Sequence, residues 1–512
     1  MEELMELPPF KIVALAPFCP GREGKEVVTA GREDLDGALK ALKPSFFIST
    51  PGEKDIMLEV KSLRGFHPDG LLRDQEALSS LRDAKQLALS LQGEGKDPSA
   101  IVEEINLRYG LGLSPPRKRE GKPKGGGGTI EQLLQMVALP EGEVRGEQAV
   151  TDQIDQLVTK QLQRVFSHEP FRKAEASWRG LRFLLEGADP RGIPVEAMLV
   201  HIDRVEDLPG LLGELFPQIL NYDPSLLVVD LPFSSSSKDL EGAKKVAEVA
   251  ELLLCPALIW IDHRFFHLRG WEELQSLPFL PHLMEEPEYA KWRSFRESPE
   301  ARWLAIGCNR FLLRYPYGPE NPPRLSPFDE GGRYLWGAPV WAIGRLILES
   351  LKETGWPTHI SGRKVGDLAL RPQGGGLFPL EVMLSEDRAW QMGKLNLMPL
   401  LGIVNRDVLF CASDTTLSGE PLSYQLLTSR VVHFLLEAKK RAKAEVSSLE
   451  EGGRFLIREI NSLWEKSSSS RPEALEITPG QTSEGRPLLK IALYPDRKSL
   501  PYSRPLELDL PW

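Results

Sequence analysis

Apolar residues in this chain fall into short alternating or continuous runs separated by stretches with helical spacing. That rhythm predicts a mixed α/β architecture. Phe10–Phe18 (FKIVALAPF) is a strand candidate beginning right after Pro8-Pro9. Glu26–Thr29, Phe46–Ser49 and the alternating Asp55–Val60 are further strand candidates. Asp34–Leu42 between them reads as a short helix capped by its acidic start. From Ser62 to Leu91 the spacing is helical, with Phe66, Leu71, Leu72, Leu78, Leu81, Leu87 and Leu91 on the apolar face. Much further on, Thr129–Leu139 is an amphipathic helix that Thr129 can cap. Its Ile130, Leu133, Leu134 and Val137 share one face at i, i+3, i+4, i+7.

Asp152–Glu186 reads as one long helical region, with Trp178, Leu181, Leu184 and Leu185 facing a core. Strands and helices then alternate: Val195–Ile202, Leu211–Leu220, Leu226–Leu231, Leu240–Leu254 and Ala257–Ile261. Leu226–Leu231 is apolar throughout, as buried parallel strands tend to be. A βαβ rhythm of this kind implies a sheet covered by helices on its faces. Trp292–Gly318 begins with helical spacing at Trp292 and Phe295, passes into the apolar run Trp303–Ile306, and continues to Phe311–Leu313 between Arg310 and Arg314. A core helix leading into a core strand, with the arginines bonded to nearby carboxylates and carbonyls, accounts for it. Val340–Leu351 and two helices within Tyr424–Trp464 follow, then two strand candidates, Pro487–Pro495 and Leu506–Leu510.

Composition narrows the picture. A chain of 512 residues forms more than one domain and buries large cores. Its net charge of −10 argues against nucleic acid as the main partner. Cys19, Cys255, Cys308 and Cys411 are far apart, with no metal-binding spacing, and suit a reduced, cytoplasmic compartment. The opening residues lack the basic and apolar segments of a signal peptide, and no apolar run reaches about 20 residues, so no membrane insertion is expected. Leu113–Gly128 (LSPPRKREGKPKGGGG) has the composition of a flexible tether. Neither its glycines nor Gly21–Glu26 has the order of a phosphate-binding loop. Asp262-His263, His201 with Asp203, and Ser234–Ser237 follow strand ends, where α/β sheets place ligands. A Ser/His/Asp hydrolase is conceivable on that ground, but no G-x-S-x-G elbow is present. No cofactor, metal or catalytic residue is assigned.

Several of these segments carry a resemblance. WRSFRESPEARW and FLLRYPYG resemble the central motif of the large sheath subunit of type VI secretion systems (TssC, or VipB), with Asn309 in place of the usual proline. Phe171–Leu185 is similar to that family's L-E-x-x-W-R-G-L segment, Tyr334–Gly337 to its Y-L-W-G, Gly355–Gly362 to its G-W-x-x-x-I-x-G, and Glu381–Gln391 to T-E-V-x-I-x-D-R-x-E. FKIVALAPF, LKPSFFIS and LEVKSLRGFHPDGLLRD resemble the small sheath subunit (TssB, or VipA). The resemblance implies a small α/β module at 1–112, a linker at 113–128 and a large, helix-covered mixed-sheet domain at 129–512. It further implies terminal strands shared between protomers, carried by Phe10, Ile12, Val13 and Leu15 and by Leu488, Ile491, Leu493, Leu506 and Leu508. The function implied is that of a structural subunit assembling helically around an inner Hcp tube, on a baseplate, without enzymatic activity. Ile130, Leu133, Leu134 and Val137 would form a handle for the ClpV unfoldase. Lys439, Lys440, Arg441 and Lys443 would face the tube. The sheath of a phage-tail-like injector is a neighbouring alternative, and an α/β hydrolase with an appended binding module a more distant one.

Overall fold

A computed structural model describes residues 7–21, 26–115, 146–442 and 448–512, with side chains omitted at 146–149. The linker from residue 116 onward, the helix expected at 129–139 with Ile130, Leu133, Leu134 and Val137, and Lys443 lie outside the described residues. The chain opens with β1 (Phe10–Ala16) and β2 (Val27–Ala30), then α1 (Leu35–Leu42) and a hairpin of β3 (Ser45–Ile48) and β4 (Ile56–Glu59). Asp34 stands at the N-cap of α1, but its carboxylate makes no cap hydrogen bond.

The single helix expected over Ser62–Leu91 is divided. A 3-10 turn precedes α2 (Pro68–Asp74), and α3 (Glu76–Gly93) follows the break at Gln75. Gln75 is buried and extended because its side chain pairs with the backbone of Glu59. Its amide donates to the Glu59 carbonyl at 2.8 Å and its carbonyl accepts from the Glu59 N–H at 3.0 Å. Helix α4 (Pro98–Tyr109) was not expected; Asp97 caps it and Gly110, at φ 64°, ends it. The long region at 152–186 is likewise two helices, α5 (Gly146–Ser167) and α6 (Glu169–Leu185), separated at His168. Pro170 at the start of α6 has no N–H with which to continue α5.

Strands and helices then alternate as β5 (Val195–His201), α7 (Leu208–Tyr222), β6 (Leu226–Phe233), α8 (Ser237–Leu252), β7 (Ala257–Ile261), α9 (Ala290–Arg296) and β8 (Leu304–Cys308). β9 (Phe311–Arg314) pairs with β10 (Leu335–Gly337), and α10 (Pro339–Thr354) follows. β11 (Lys364–Val365), a hairpin of β12 (Arg371–Gln373) and β13 (Gly376–Phe378), β14 (Met398–Gly402) and β15 (Leu409–Cys411) complete the body. The last unit holds α11 (Leu422–Ala442), α12 (Leu449–Ser468), β16 (Ala474–Gln481), β17 (Pro487–Tyr494) and β18 (Leu506–Pro511).

Nine strands form one mixed sheet in the order β11-β15-β14-β8-β7-β6-β1-β5-β2. From β14 to β5 every neighbouring pair is parallel; β2, β15 and β11 add antiparallel edges. The sheet separates two cores. Ile12, Ala14 and Ala16 of β1 belong to a cluster under α2–α6 and α10, whereas Val13 and Leu15 belong to one under α7, α8 and α9. A third cluster joins α11 and α12 to the sheet β16-β17-β18.

The position of β1 corrects two expectations. It was expected to pair with a neighbouring protomer through Phe10, Ile12, Val13 and Leu15. Instead β1 lies between β5 and β6 of its own chain, with Phe10 opposite Val195 and Ile12 opposite Leu226. Both of its hydrogen-bonding edges are therefore occupied. Of the strands in the first 112 residues only the β3–β4 hairpin forms a sheet of its own; β1 and β2 are strands of the large one.

Candidate functional site

The stretch Trp292–Gly318 leads to a buried ionic junction. Arg314, the last residue of β9, donates to both carboxylate oxygens of Glu175 on α6 (2.8 and 3.2 Å) and both of Glu330 (2.8 and 3.1 Å). Arg179, one turn along α6, donates to the Glu175 carboxylate at 2.8 Å. Arg172 reaches Glu330 at 3.2 Å and the Tyr334 carbonyl at 2.7 Å. Burial acts to raise the pKa of Glu175, but the charges and hydrogen bonds of Arg314 and Arg179 outweigh it and hold the carboxyl below its usual range. For Arg314, burial works against the charge, and Glu175 and Glu330 more than restore it, so its pKa is raised. The guanidinium also lies 4.2 Å from the centre of the Tyr317 ring. Burial, reinforced by the Glu175 charge, pushes the Tyr317 phenol up to about 12.

The junction holds the N-terminal elements to the body. Tyr317 meets His67 edge-on at 4.9 Å and Phe166 at 5.5 Å. Phe171 of α6 packs against Phe46 of the first hairpin at 5.3 Å. The buried Asp69 carboxylate of α2 accepts from the N–H groups of Arg324 and Leu325 at 3.1 and 2.9 Å. Trp178 of α6 donates through Nε1 to the Phe18 carbonyl just past β1.

A cavity of about 570 Å³ opens at the carboxyl ends of β1, β5, β6 and β7, where the strand order reverses. This is the place where α/β sheets bind ligands. Its buried Asp230 accepts from Trp341 Nε1 at 2.8 Å and Ser177 Oγ at 3.2 Å. Burial lifts the Asp230 carboxyl to about 6 against those two bonds. The cavity's cations are already paired: Arg172 with Glu330, Lys173 with Glu169, Arg204 with Asp207, Lys238 with Glu206, Arg264 with Asp262 and Arg310 with Glu381. Those pairings leave the cavity little unneutralised charge for an anionic ligand.

The structure separates the residues that suggested a hydrolase. His201 ends β5 and lies 3.4 Å from Asp203, while His263 follows β7; β1 and β6 stand between the two strands. Ser234 bonds Asp239 through both its N–H and its hydroxyl, Ser236 caps α8, and Asp262 accepts from Arg264. Ser235 Oγ lies 3.3 Å from His267, which in turn faces Glu288 on the surface.

The remaining sequence candidates fall in the C-terminal unit. Leu488, Ile491 and Leu493 are buried on β17, the middle strand, paired on both sides. Leu506 is buried and Leu508 half-buried on the edge strand β18. Trp512 donates to the Pro487 carbonyl, so alternation turns the N–H groups of Glu507 and Asp509 away from β17. On the other edge, Thr482 donates to the Arg486 carbonyl, which turns Pro479 outward, the tolerated position for a proline in a strand. Of the basic cluster, Lys440 pairs with Glu437 at 3.0 Å and Arg441 with Glu459 at 2.7 Å. Lys439 is also engaged.

Glu175, Glu330 and Asp69 were not singled out from sequence. Glu175 and Arg179 stand four apart in the helix, a spacing that signals a pair. Glu330 and Asp69 gave no such signal, since their partners are supplied by distant parts of the chain.

Residues 148–206 and 223–418 match the family described as VipB (EvpB), tail sheath N-terminal domain. The chain is 26% identical over 311 residues to the type VI secretion system sheath protein TssC1 of Pseudomonas aeruginosa, across 54% of this chain and 62% of that relative. It thus spans about three fifths of the length of the curated relative it matches. Among solved structures, the contracted helical sheath of the anti-feeding prophage is similar at 12% identity and TM-score 0.37, over 62% of this chain and 78% of that one. The Listeria innocua sheath tail protein is similar at 10% identity and TM-score 0.36, over 62% and 61%.

Proposed function

We propose, from the premise that this chain carries a VipB-family tail sheath domain, that it is a structural subunit of a contractile sheath. The observation that carries the reading is the extent of that match. It takes in α6, the parallel strands from β5 to β14 and the Arg314 junction, the same elements on which the sequence motifs lie. The mechanism is mechanical. Copies join through heterologous contacts that do not close, which yields a helical array. The array stores conformational free energy, and contraction releases it as interfaces between rigid bodies repack from one discrete arrangement to another. In this reading the body is the rigid part, with its ion pairs buried. The open edges of β16 and β18 are the part that takes up strands of neighbouring copies.

The N-terminal segment fits a small-subunit-like half joined covalently to a large-subunit-like half. β1 would then be an internal strand here that two-chain relatives supply in trans. Covalent linkage fixes equal numbers of the two halves and raises their effective concentration to about millimolar. The partners that follow from the family resemblance are an inner tube of Hcp type, a baseplate and a ClpV-type unfoldase, all in the cytoplasm. Among the described residues no helix is long and apolar enough to cross a membrane.

Negative-stain electron microscopy of the purified full-length protein tests the reading. Hollow tubes with a regular helical repeat are the expected result. A protein that remains monomeric at tens of micromolar, alone and with a tube protein added, would overturn it.

A further inference from the structure

A second cavity, of about 660 Å³, lies beside the junction and differs from the first in its charge balance. Arg64, Arg73, Arg179, Arg182 and Arg324 line it, against the carboxylates of Asp69 and Asp74. Asp69 is already held by two backbone N–H groups, and Arg179 and Arg182 pair with Glu175 and Glu186. Arg64, Arg73 and Arg324 are exposed, and none of them has an ion-pair partner among the described residues. Three unpaired guanidinium groups therefore converge on one concavity between α2, α6 and the loop before β10.

The opposite charge lies on the other side of the molecule. Between β7 and α9 the chain makes an exposed turn, Glu285-Glu286-Pro287-Glu288. The residues flanking it, Met284 and Tyr289, are buried in the core beneath α7 and α8. The arginine cavity is flanked by Phe66, Leu71 and Leu72, which are buried in the core on the reverse face of the sheet. The carboxylates of the turn are only weakly paired: Glu285 is 4.0 Å from Arg293, and Glu288 is 3.4 Å from the imidazole of His267. Both side chains keep two thirds or more of their surface exposed, 75% and 67%.

We propose that the arginine cavity of one copy receives the Glu285–Glu288 turn of the next. Three carboxylates would meet three unpaired guanidinium groups, the combination that gives the shortest and strongest charge-assisted bonds. Complementary patches on opposite faces make a head-to-tail contact, which propagates along an array. The inference rests on the sheath reading and names one of its interfaces. A second copy is favoured over a small anion because the acidic turn is presented by the same chain and the cavity is open enough to admit it.

The test uses two full-length charge-reversal variants, R64E/R73E/R324E and E285K/E286K/E288K, with assembly read by sedimentation and negative stain. Each alone should lower the assembled fraction at least about tenfold, because like charges now face each other. An equal mixture should restore it through alternating copies, since every reversed turn then meets a reversed cavity and every unreversed turn an unreversed cavity. The neutral variant R64Q/R73Q/R324Q should show a smaller loss that shrinks with added salt, because salt screens the wild-type attraction this variant lacks. Wild-type tubes with undiminished assembly of both reversal variants would overturn the inference alone, as would a loss that mixing fails to rescue. Binding of inorganic phosphate abolished by R64E/R73E/R324E, with assembly unchanged, would also overturn it, in favour of a small-anion site. A wild type without tubes removes the sheath reading and this interface with it.

Discussion

The nine-stranded sheet and the three-stranded C-terminal sheet are built from the same kinds of residue, yet treat their edges in opposite ways. In the large sheet β7 and β8 are buried at every position, and the sheet ends on one side in a strand of only two residues, β11. A short edge presents little unpaired backbone. In the small sheet β16 runs for eight residues and β18 for six, both along its borders, and no residue of β16 is fully buried. The first arrangement suits a body that must keep its shape, the second a connector. On the sheath reading proposed above, the long open edges of the small sheet are the part offered to strands of other copies, and the short-edged body the part that keeps its shape.

That division can be broken most directly at the junction. Arg314→Ala leaves the buried carboxylates of Glu175 and Glu330 without their main counter-charge, and should cost about 3–5 kcal/mol in urea-induced unfolding. A loss below about 1 kcal/mol would mean that the body does not depend on its ion pairs. A smaller effect comes from Asp230. Its folded pKa, about 6, lies above its ordinary value of 3.8. The folded state therefore binds the proton more tightly than the unfolded chain does. Stability from this group is present below pH 4 and is lost as pH rises through 6, by at most about 3 kcal/mol. Asp230→Asn should flatten that part of the profile in thermal melts at pH 4 to 7; an unchanged slope would show that another group titrates there.

The smallest effect on stability sharpens the contrast instead. Glu507→Pro with Asp509→Pro removes only N–H groups that point away from β17, so unfolding should shift by no more than about 1 kcal/mol. Tube formation should nonetheless disappear in electron micrographs. Persistent tubes would exclude the β18 edge as a joining strand.

Much of this body was legible in the pattern of apolar residues. Leu226–Leu231 and Ala257–Ile261 were readable as buried strands because nearly every position is apolar. Trp178 and Leu181 were readable as core from helical spacing alone. What could not be read depends on partners far along the chain. Gln75 breaks a regular helical pattern because Glu59 engages its side chain. β16 escaped notice because Pro479 and Gly480 lie within it, and only its place at a sheet border makes them acceptable. The arginines of Trp292–Gly318 were read as bonded to carboxylates and carbonyls. Arg293 does donate to the Met284 and Glu286 carbonyls, and Arg310 to Glu381. That Arg314 would find Glu175 and Glu330 was beyond periodicity, since those residues come from three different segments.

The placing of β1 between β5 and β6 has a consequence for biosynthesis. β1 leaves the ribosome long before either neighbour has been made, so a seven-residue, largely apolar strand waits without a partner while the intervening chain is translated. Only after Phe233 emerges can both flanking ladders zip up. During that interval the nascent chain has an unsatisfied hydrogen-bonding ribbon of the kind that holdase chaperones shield. Slow elongation ahead of β5 would therefore be expected to lower the yield of native protein more than an equal pause placed after β6.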